Sequence, residues 1–184
     1  MKSLEFYNFG DELWCIYPDG RNERVTESSK EIIHPMLERI REFYPKAYAA
    51  LERWYQKSSM NVPYYQYLIV KRFCKCNFGN LDGTSKDIDH TGVFRFERVD
   101  CPMRGECALE GIVCNPEFDS HISAAEMRVM KLLYEGRSVE ETAEELYLSQ
   151  CTVANHRKSV YYKLGIHDMA SFVRYANEHN LFKE

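Results

Sequence analysis

No stretch of the chain approaches the ~20 consecutive apolar residues of a membrane-spanning helix. Met1-Lys2-Ser3-Leu4-Glu5-Phe6 also lacks the apolar run of a signal peptide, so a cytoplasmic location with no membrane partner is expected. Low-complexity tracts and repeats at solenoid period are missing too, which argues against stacked-repeat architectures. No nucleophile, base and orienter are spaced to work together, and no phosphate-cradling glycine loop appears, so no enzymatic activity is expected. What the chain does have is 184 residues, 45% of them hydrophobic and 14% aromatic, with 13 Tyr and 10 Phe. That length suits one or two domains with a real core.

Acidic residues outnumber basic ones, giving a net charge of -4. Against that background one stretch stands apart: from Leu146 through His167 there is no Asp or Glu, while Arg157, Lys158 and Lys163 are cationic. Ser149 is a good N-cap and Gly165 a good left-handed terminator, which predicts a helix between them. Val153, His156, Val160 and Leu164 recur at helical spacing as the inward stripe. Cys151, Ala154, Asn155, Lys158 and Tyr162 form the opposite one. A carboxylate-free face suits a polyanion, because acids there would oppose phosphate. An ordinary solvated helix face explains three cations equally well when they are taken alone.

The residues upstream sharpen the reading. Ser138, with Glu141 three residues on, reads as a capping box opening a short helix with Val139, Thr142, Ala143 and Leu146 inward. Only Tyr147-Leu148-Ser149 separates this helix from the next, which is helix-turn-helix spacing. Leu148 and Val153 are expected to fill the angle between the two helices.

Residues from about Ile122 to about Phe182 resemble the LuxR-type helix-turn-helix domain of bacterial regulators. The matching positions are Ile122-Ser123, Glu126, Val129, Leu132-Leu133 and Gly136-Arg137-Ser138, followed by Ala143, Leu146, Leu148-Ser149, Thr152-Val153, His156, Lys163-Leu164, Phe172-Val173 and Ala176. The resemblance implies a sequence-specific regulator of transcription that binds double-stranded DNA as a homodimer, paired through its last helix, with RNA polymerase as a further partner. Two departures stand out. Ala154 occupies a place where the family usually has Lys, and the second helix carries Glu140, Glu141, Glu144 and Glu145. From Asp119 to Glu184, 8 Lys or Arg face 10 Asp or Glu. A shallow salt dependence follows, since few phosphates are neutralised.

Within that frame Asn155 suits adenine, Lys158 suits guanine, and Ala154 suits a thymine methyl. Thr152, Arg157 and Lys163 suit phosphates. His156 reads as a packed or phosphate-facing residue. Two other readings stay open: an interaction module that kept the helix-turn-helix shape and lost its DNA affinity, and a sigma-factor-like region. The final helix opened by Asp168 speaks against the latter.

Residues 1–116 carry no recognisable relationship, and the acids and Lys of a phosphoacceptor receiver are not in place. Leu4 to Phe9 and Leu13 to Tyr17, split by Gly10-Asp11, predict a hairpin, and Pro18-Asp19-Gly20-Arg21 turns the chain into a third short strand at Arg24-Val25. A helix follows from Thr26 or Ser28, started late or kinked by Pro35. Pro45 restarts a second helix through Tyr55. Tyr64 to Cys74, rich in aromatic and branched side chains, reads as a long strand paired with the alternating Thr91 to Val99. Residues 77–92 between them read as a polar loop, whose Asp82, Asp87 and Asp89 do not fit a calcium-loop spacing.

Seven cysteines, an odd number in a reducing compartment, argue for thiols or metal ligands over disulfides. Cys76, Cys101, Cys107 and Cys114 would meet if the two strands pair, giving a four-thiolate site suited to structural zinc. Cys74 is close by in sequence. Buried thiols remain open, as does an iron–sulfur cluster or redox switch. The expected architecture is an α+β domain over 1–116, with a small antiparallel sheet, two helices and a Cys-rich loop, then an all-α four-helix LuxR-type helix-turn-helix domain over 117–184.

Overall fold

The computed structural model describes residues 3–79, 81, 86–88 and 92–182, and the chain divides into two compact units, Met1–Glu117 and Phe118–Glu184. In the first unit the period-2 pattern near the N-terminus becomes a three-stranded antiparallel sheet in the order β1 (Glu5–Phe9), β2 (Glu12–Ile16), β3 (Asn22–Arg24). Gly10, at φ 60, makes the turn between β1 and β2. The register sets Phe6 opposite Cys15 and Asn8 opposite Leu13. Leu4, Phe6, Leu13 and Cys15 thereby share the buried face.

Helix α1 (Lys30–Phe43) runs unbroken through Pro35. Proline removes one backbone hydrogen bond there, and the buried stripe of Ile32, Ile33, Met36, Leu37 and Ile40 compensates by tying both sides of the proline to one core. Pro45 opens α2 (Pro45–Trp54) at its first position, as its fixed φ favours. A single 3-10 turn, Gln56–Ser58, leads to the next helix.

The long strand expected from Tyr64 to Cys74 is instead helix α3 (Val62–Asn77). Asn61 caps it by accepting from the Tyr64 amide, and Pro63 sits in its first turn. Ile69, Val70, Phe73, Cys74 and Asn77 are buried at intervals of one, three and four residues, a helical period. Aromatic and branched side chains raised the strand propensity, and tertiary packing overrode it. The expected partner strand, Thr91 to Val99, is absent among the described residues: Phe94 makes an isolated bridge to Ile88, which bridges Leu4. Its alternation serves another purpose. Phe94 and Phe96 enter a ring cluster with Tyr44, Phe73 and Phe78, with centroids 5.2 to 6.1 Å apart. Half of the expected polar loop, including Asp82 and Asp89, lies outside the described residues; Asp87 is buried and accepts from the Phe6 amide at 2.5 Å.

The second unit holds four helices, α4 (Ala124–Tyr134), α5 (Val139–Glu145), α6 (Gln150–Leu164) and α7 (Met169–Glu178). Each has a polar cap accepting a first-turn amide: Ser123, Ser138, Ser149 and Asp168. The first two are complete capping boxes with Glu126 and Glu141. Such caps are each worth about 1 kcal/mol. Helix α6 is gripped twice. Val153 packs with Val129 and Ala143, and Val160 packs with Met130, Phe172 and Ala176. The expected α+β unit followed by a four-helix unit is therefore what forms, with three α-helices rather than two in the first.

Candidate nucleic-acid interface

All four helices of the second unit end alike. At each C-terminus a residue with positive φ, Gly136, Tyr147, Gly165 or Asn180, stands at the cap or just after it, and the backbone closes with a six-to-one hydrogen bond. For α4 this runs from the Arg137 amide to Leu132, for α5 from Leu148 to Ala143, for α6 from Ile166 to Tyr161, and for α7 from Leu181 to Ala176, at 2.8 to 3.0 Å. Glycine and asparagine tolerate that left-handed conformation readily. Tyr147 does not, and a bulky residue held there costs roughly 1–2 kcal/mol. It sits in the turn leading into α6 and is 96% exposed. Leu148, expected to fill the angle between α5 and α6, is exposed as well; Val153 alone of that pair is buried.

Along α6 the wet face is Cys151, Asn155, Lys158 and Tyr162, all exposed, at spacings of four, three and four residues. Opposite lie the fully buried Val153 and Val160, with His156 and Leu164 half-buried beside them. Ala154 and Arg157 are half-buried on one flank of the exposed stripe. The Asn155 amide nitrogen is 3.8 Å from Cys151 Sγ, a weak contact that leaves its carbonyl oxygen to the solvent side. Thr152, on the other flank, has its hydroxyl 2.8 Å from that of Ser149, so both hydroxyls stand at the N-terminus of a 15-residue helix. Partial positive charge collects at such a terminus.

Lys163 is placed differently from the other predicted phosphate contacts. Its Nζ lies 2.6 Å from Oε2 of Glu126, whose Oε1 accepts from the Ser159 hydroxyl at 2.6 Å. Glu126 is only 5% exposed. Burial works to raise its pKa, but hydrogen bonds from Lys163, Ser159 and Ser123 outweigh it and hold the carboxyl down to about 2. One carboxylate thus caps α4 and anchors α6. The capping spacing Ser123-x-x-Glu126 signalled the first task, and no sequence pattern signalled the second.

The cysteines occupy three settings. Cys15 and Cys74 are buried, Cys151 is exposed on α6, and Cys76, Cys101, Cys107 and Cys114 are half-buried. Cys76 is on the last turn of α3, not at a strand end. Its side chain lines a cleft together with Cys114, while Cys107 Sγ accepts from Arg72 Nη2 at 3.4 Å. Burial, aided by Cys114, pushes the Cys76 thiol up to about 12. Among the described residues no three His, Cys, Asp or Glu side chains stand together as a finished metal site.

Residues 120–176 match the family described as bacterial regulatory proteins of the luxR family. The chain is 36% identical over 63 residues to the Fimbriae Z protein of Salmonella typhimurium, covering 34% of this chain and 30% of that protein. It is 35% identical over 60 residues to the Fimbriae Z protein of Escherichia coli, covering 33% and 29%. With the transcriptional regulatory protein MctR of Rhizobium johnstonii it shares 37% identity over 60 residues, covering 33% and 28%. The chain thus spans under a third of the length of these relatives. No solved structure matches it. The helical second unit is accordingly a LuxR-family helix-turn-helix domain.

Proposed function

We propose that this protein is a DNA-binding regulator of transcription that lays α6 in the major groove. The observation that carries this reading is the exposed stripe Cys151, Asn155, Lys158, Tyr162 on a helix without a single carboxylate. A bidentate pairing from Asn155 to adenine and a Lys158 contact to guanine are the base-reading interactions, with Ala154 against a thymine methyl. Thr152 and Arg157 hold phosphates from the two flanks, and Lys163 joins them only when it leaves Glu126. A two-fold dimer would place half-sites about one turn of duplex apart.

A second reading is favoured by α5, whose Glu140, Glu141, Glu144 and Glu145 are all exposed beside the reading helix. Four carboxylates at that place repel phosphate, as a protein-binding module would tolerate and a strong DNA binder would not. A mobility-shift titration with genomic fragments at low salt separates the two, comparing the wild type with Asn155→Ala and Lys158→Ala. A regulator loses specific complexes in both variants, each by roughly 1–3 kcal/mol. If the variants bind as the wild type does, α6 does not read DNA with this face.

A further inference from the structure

Helix α6 has 15 residues and is therefore about 22 Å long, nearly twice the width of a major groove, about 12 Å. The groove winds round the duplex and the helix is straight, so only part of α6 can stay against base edges. In helix-turn-helix docking that part is N-terminal. Tyr162 stands about 16 Å along the helix from Cys151, where α6 leaves the groove and meets the sugar–phosphate backbone. Its ring is 89% exposed. At the other end Tyr147 precedes the Ser149 cap by two residues and is 96% exposed. The six-to-one closure of α5, from Leu148 to Ala143, holds it in the left-handed region at φ 55. In the same docking the first helix of the pair crosses the backbone, which brings this turn to the strand on the opposite border of the groove.

Cationic anchors for phosphate are scarce on this surface. Lys163 is engaged by Glu126, Arg157 is half-buried, and position 154 is an alanine. Lys158 is left as the one exposed, unpaired cation of α6 among the described residues. Helix α5 adds the exposed Glu140, Glu141, Glu144 and Glu145 beside it. A phenol suits a phosphate in such a place, because it donates one hydrogen bond to a phosphate oxygen and carries no charge of its own. The hydroxyls of Tyr147 and Tyr162 are both available, since neither has a hydrogen-bond partner among the described residues.

With α6 in the major groove, the reading on which this rests, we propose that Tyr147 and Tyr162 donate their hydroxyls to phosphates on the two strands that border the groove. Two neutral donors then hold α6 at its ends and fix the register of Asn155 and Lys158 between them. Tyr162 thereby belongs to the backbone contacts, although it continues the exposed stripe of the reading residues. The strained backbone of Tyr147 keeps its ring at the edge of the duplex.

The test uses the full chain with two duplexes, a genomic fragment that the wild type retains in a mobility shift at low salt and an unrelated duplex of the same length. Tyr147→Phe and Tyr162→Phe delete only the hydroxyl, and circular dichroism verifies that both variants are folded. Each should weaken binding to both duplexes by about tenfold. The ratio between the duplexes should not change, because a phosphate contact carries no sequence information. The slope of log affinity against log salt should not change either, because a neutral donor displaces no counterion. Arg157→Ala is the contrast, and should lower that slope by about one. Ethylation interference on the retained fragment should lose one phosphate in each tyrosine variant, on opposite strands. If either tyrosine variant binds as the wild type does while Asn155→Ala and Lys158→Ala lose the specific complex, the backbone contacts are overturned and the reading helix stands. A changed ratio between the duplexes puts that tyrosine on a base edge and overturns its assignment to phosphate. If Asn155→Ala and Lys158→Ala also bind as the wild type does, or the wild type retains no fragment, the contacts fall together with the reading.

Discussion

The Lys163 ammonium stands 2.6 Å from the Glu126 carboxylate, joining the first turn of α4 to the last turn of α6. A residue of α6 is thereby held toward the domain's own frame. The pair is partly desolvated, with Glu126 Oε2 also accepting from the Ser123 amide at 2.8 Å. Removing the negative member leaves Lys163 free to swing outward.

Glu126→Gln is therefore expected to destabilise the domain by about 1–3 kcal/mol, the usual loss for hydrogen bonds to a charged group. The effect depends on pH with a definite sign. The folded-state pKa is held near 2, below its ordinary 4.5, so the carboxylate's contribution is fully present above 4.5 and is lost as pH falls from there toward 2. Thermal unfolding of wild type and variant across that window should show their midpoints converging in acid. A constant gap would mean that Glu126 acts through packing alone.

Tyr147→Gly is expected to raise stability, because glycine relieves the left-handed strain; after its greater unfolded-state freedom is counted, the gain is about 1 kcal/mol. The same change should weaken DNA binding several-fold. A bulky, 96% exposed ring kept in a strained turn two residues before the α6 cap points to use at the interface. Paired unfolding and binding titrations read both effects. A gain in stability with unchanged binding would make the tyrosine incidental.

Thr142 is fully buried on α5, and its hydroxyl has no hydrogen-bond partner. Thr142→Val replaces that hydroxyl by a methyl of similar shape. Stability should rise by about 1 kcal/mol. Urea unfolding monitored by circular dichroism measures it, and a lower midpoint would show that the hydroxyl is satisfied in solution.

Ala154→Lys puts a cation on the flank of the reading stripe, next to Asn155 and one turn before Lys158. Affinity for DNA should increase, and the slope of log affinity against log salt should steepen by about one. Titrations at several salt concentrations give the slope. No change in slope would place position 154 away from phosphate.

The second unit was largely legible in the sequence because its signals are local. Ser123, Ser138, Ser149 and Asp168 announce helix starts, and the spacing of Val153 and Val160 fixes which side of α6 turns inward. The hairpin was legible for the same reason, its turn being set by Gly10 and Asp11. Tyr64 to Cys74 misled because its rings and branched side chains favour strands locally, while Asn61, Pro63 and the core favour a helix. With that strand lost, the route by which the four cysteines were expected to meet was also lost. Cys76 and Cys114 instead line one cleft between the last turn of a helix and a run of turns, a juxtaposition that no periodicity encodes. The Glu126 clamp was hidden because it spans 37 residues.

Helix α6 is held at two places by separate apolar clusters, one around Val153 and one around Val160, and both lie on the side away from the exposed stripe. Grip and message thus occupy different side chains of one element. If the exposed stripe reads DNA as proposed, substitutions at 151, 155 and 158 can drift toward a new target sequence without loosening the scaffold, and the domain has room to acquire a different operator before it loses its shape.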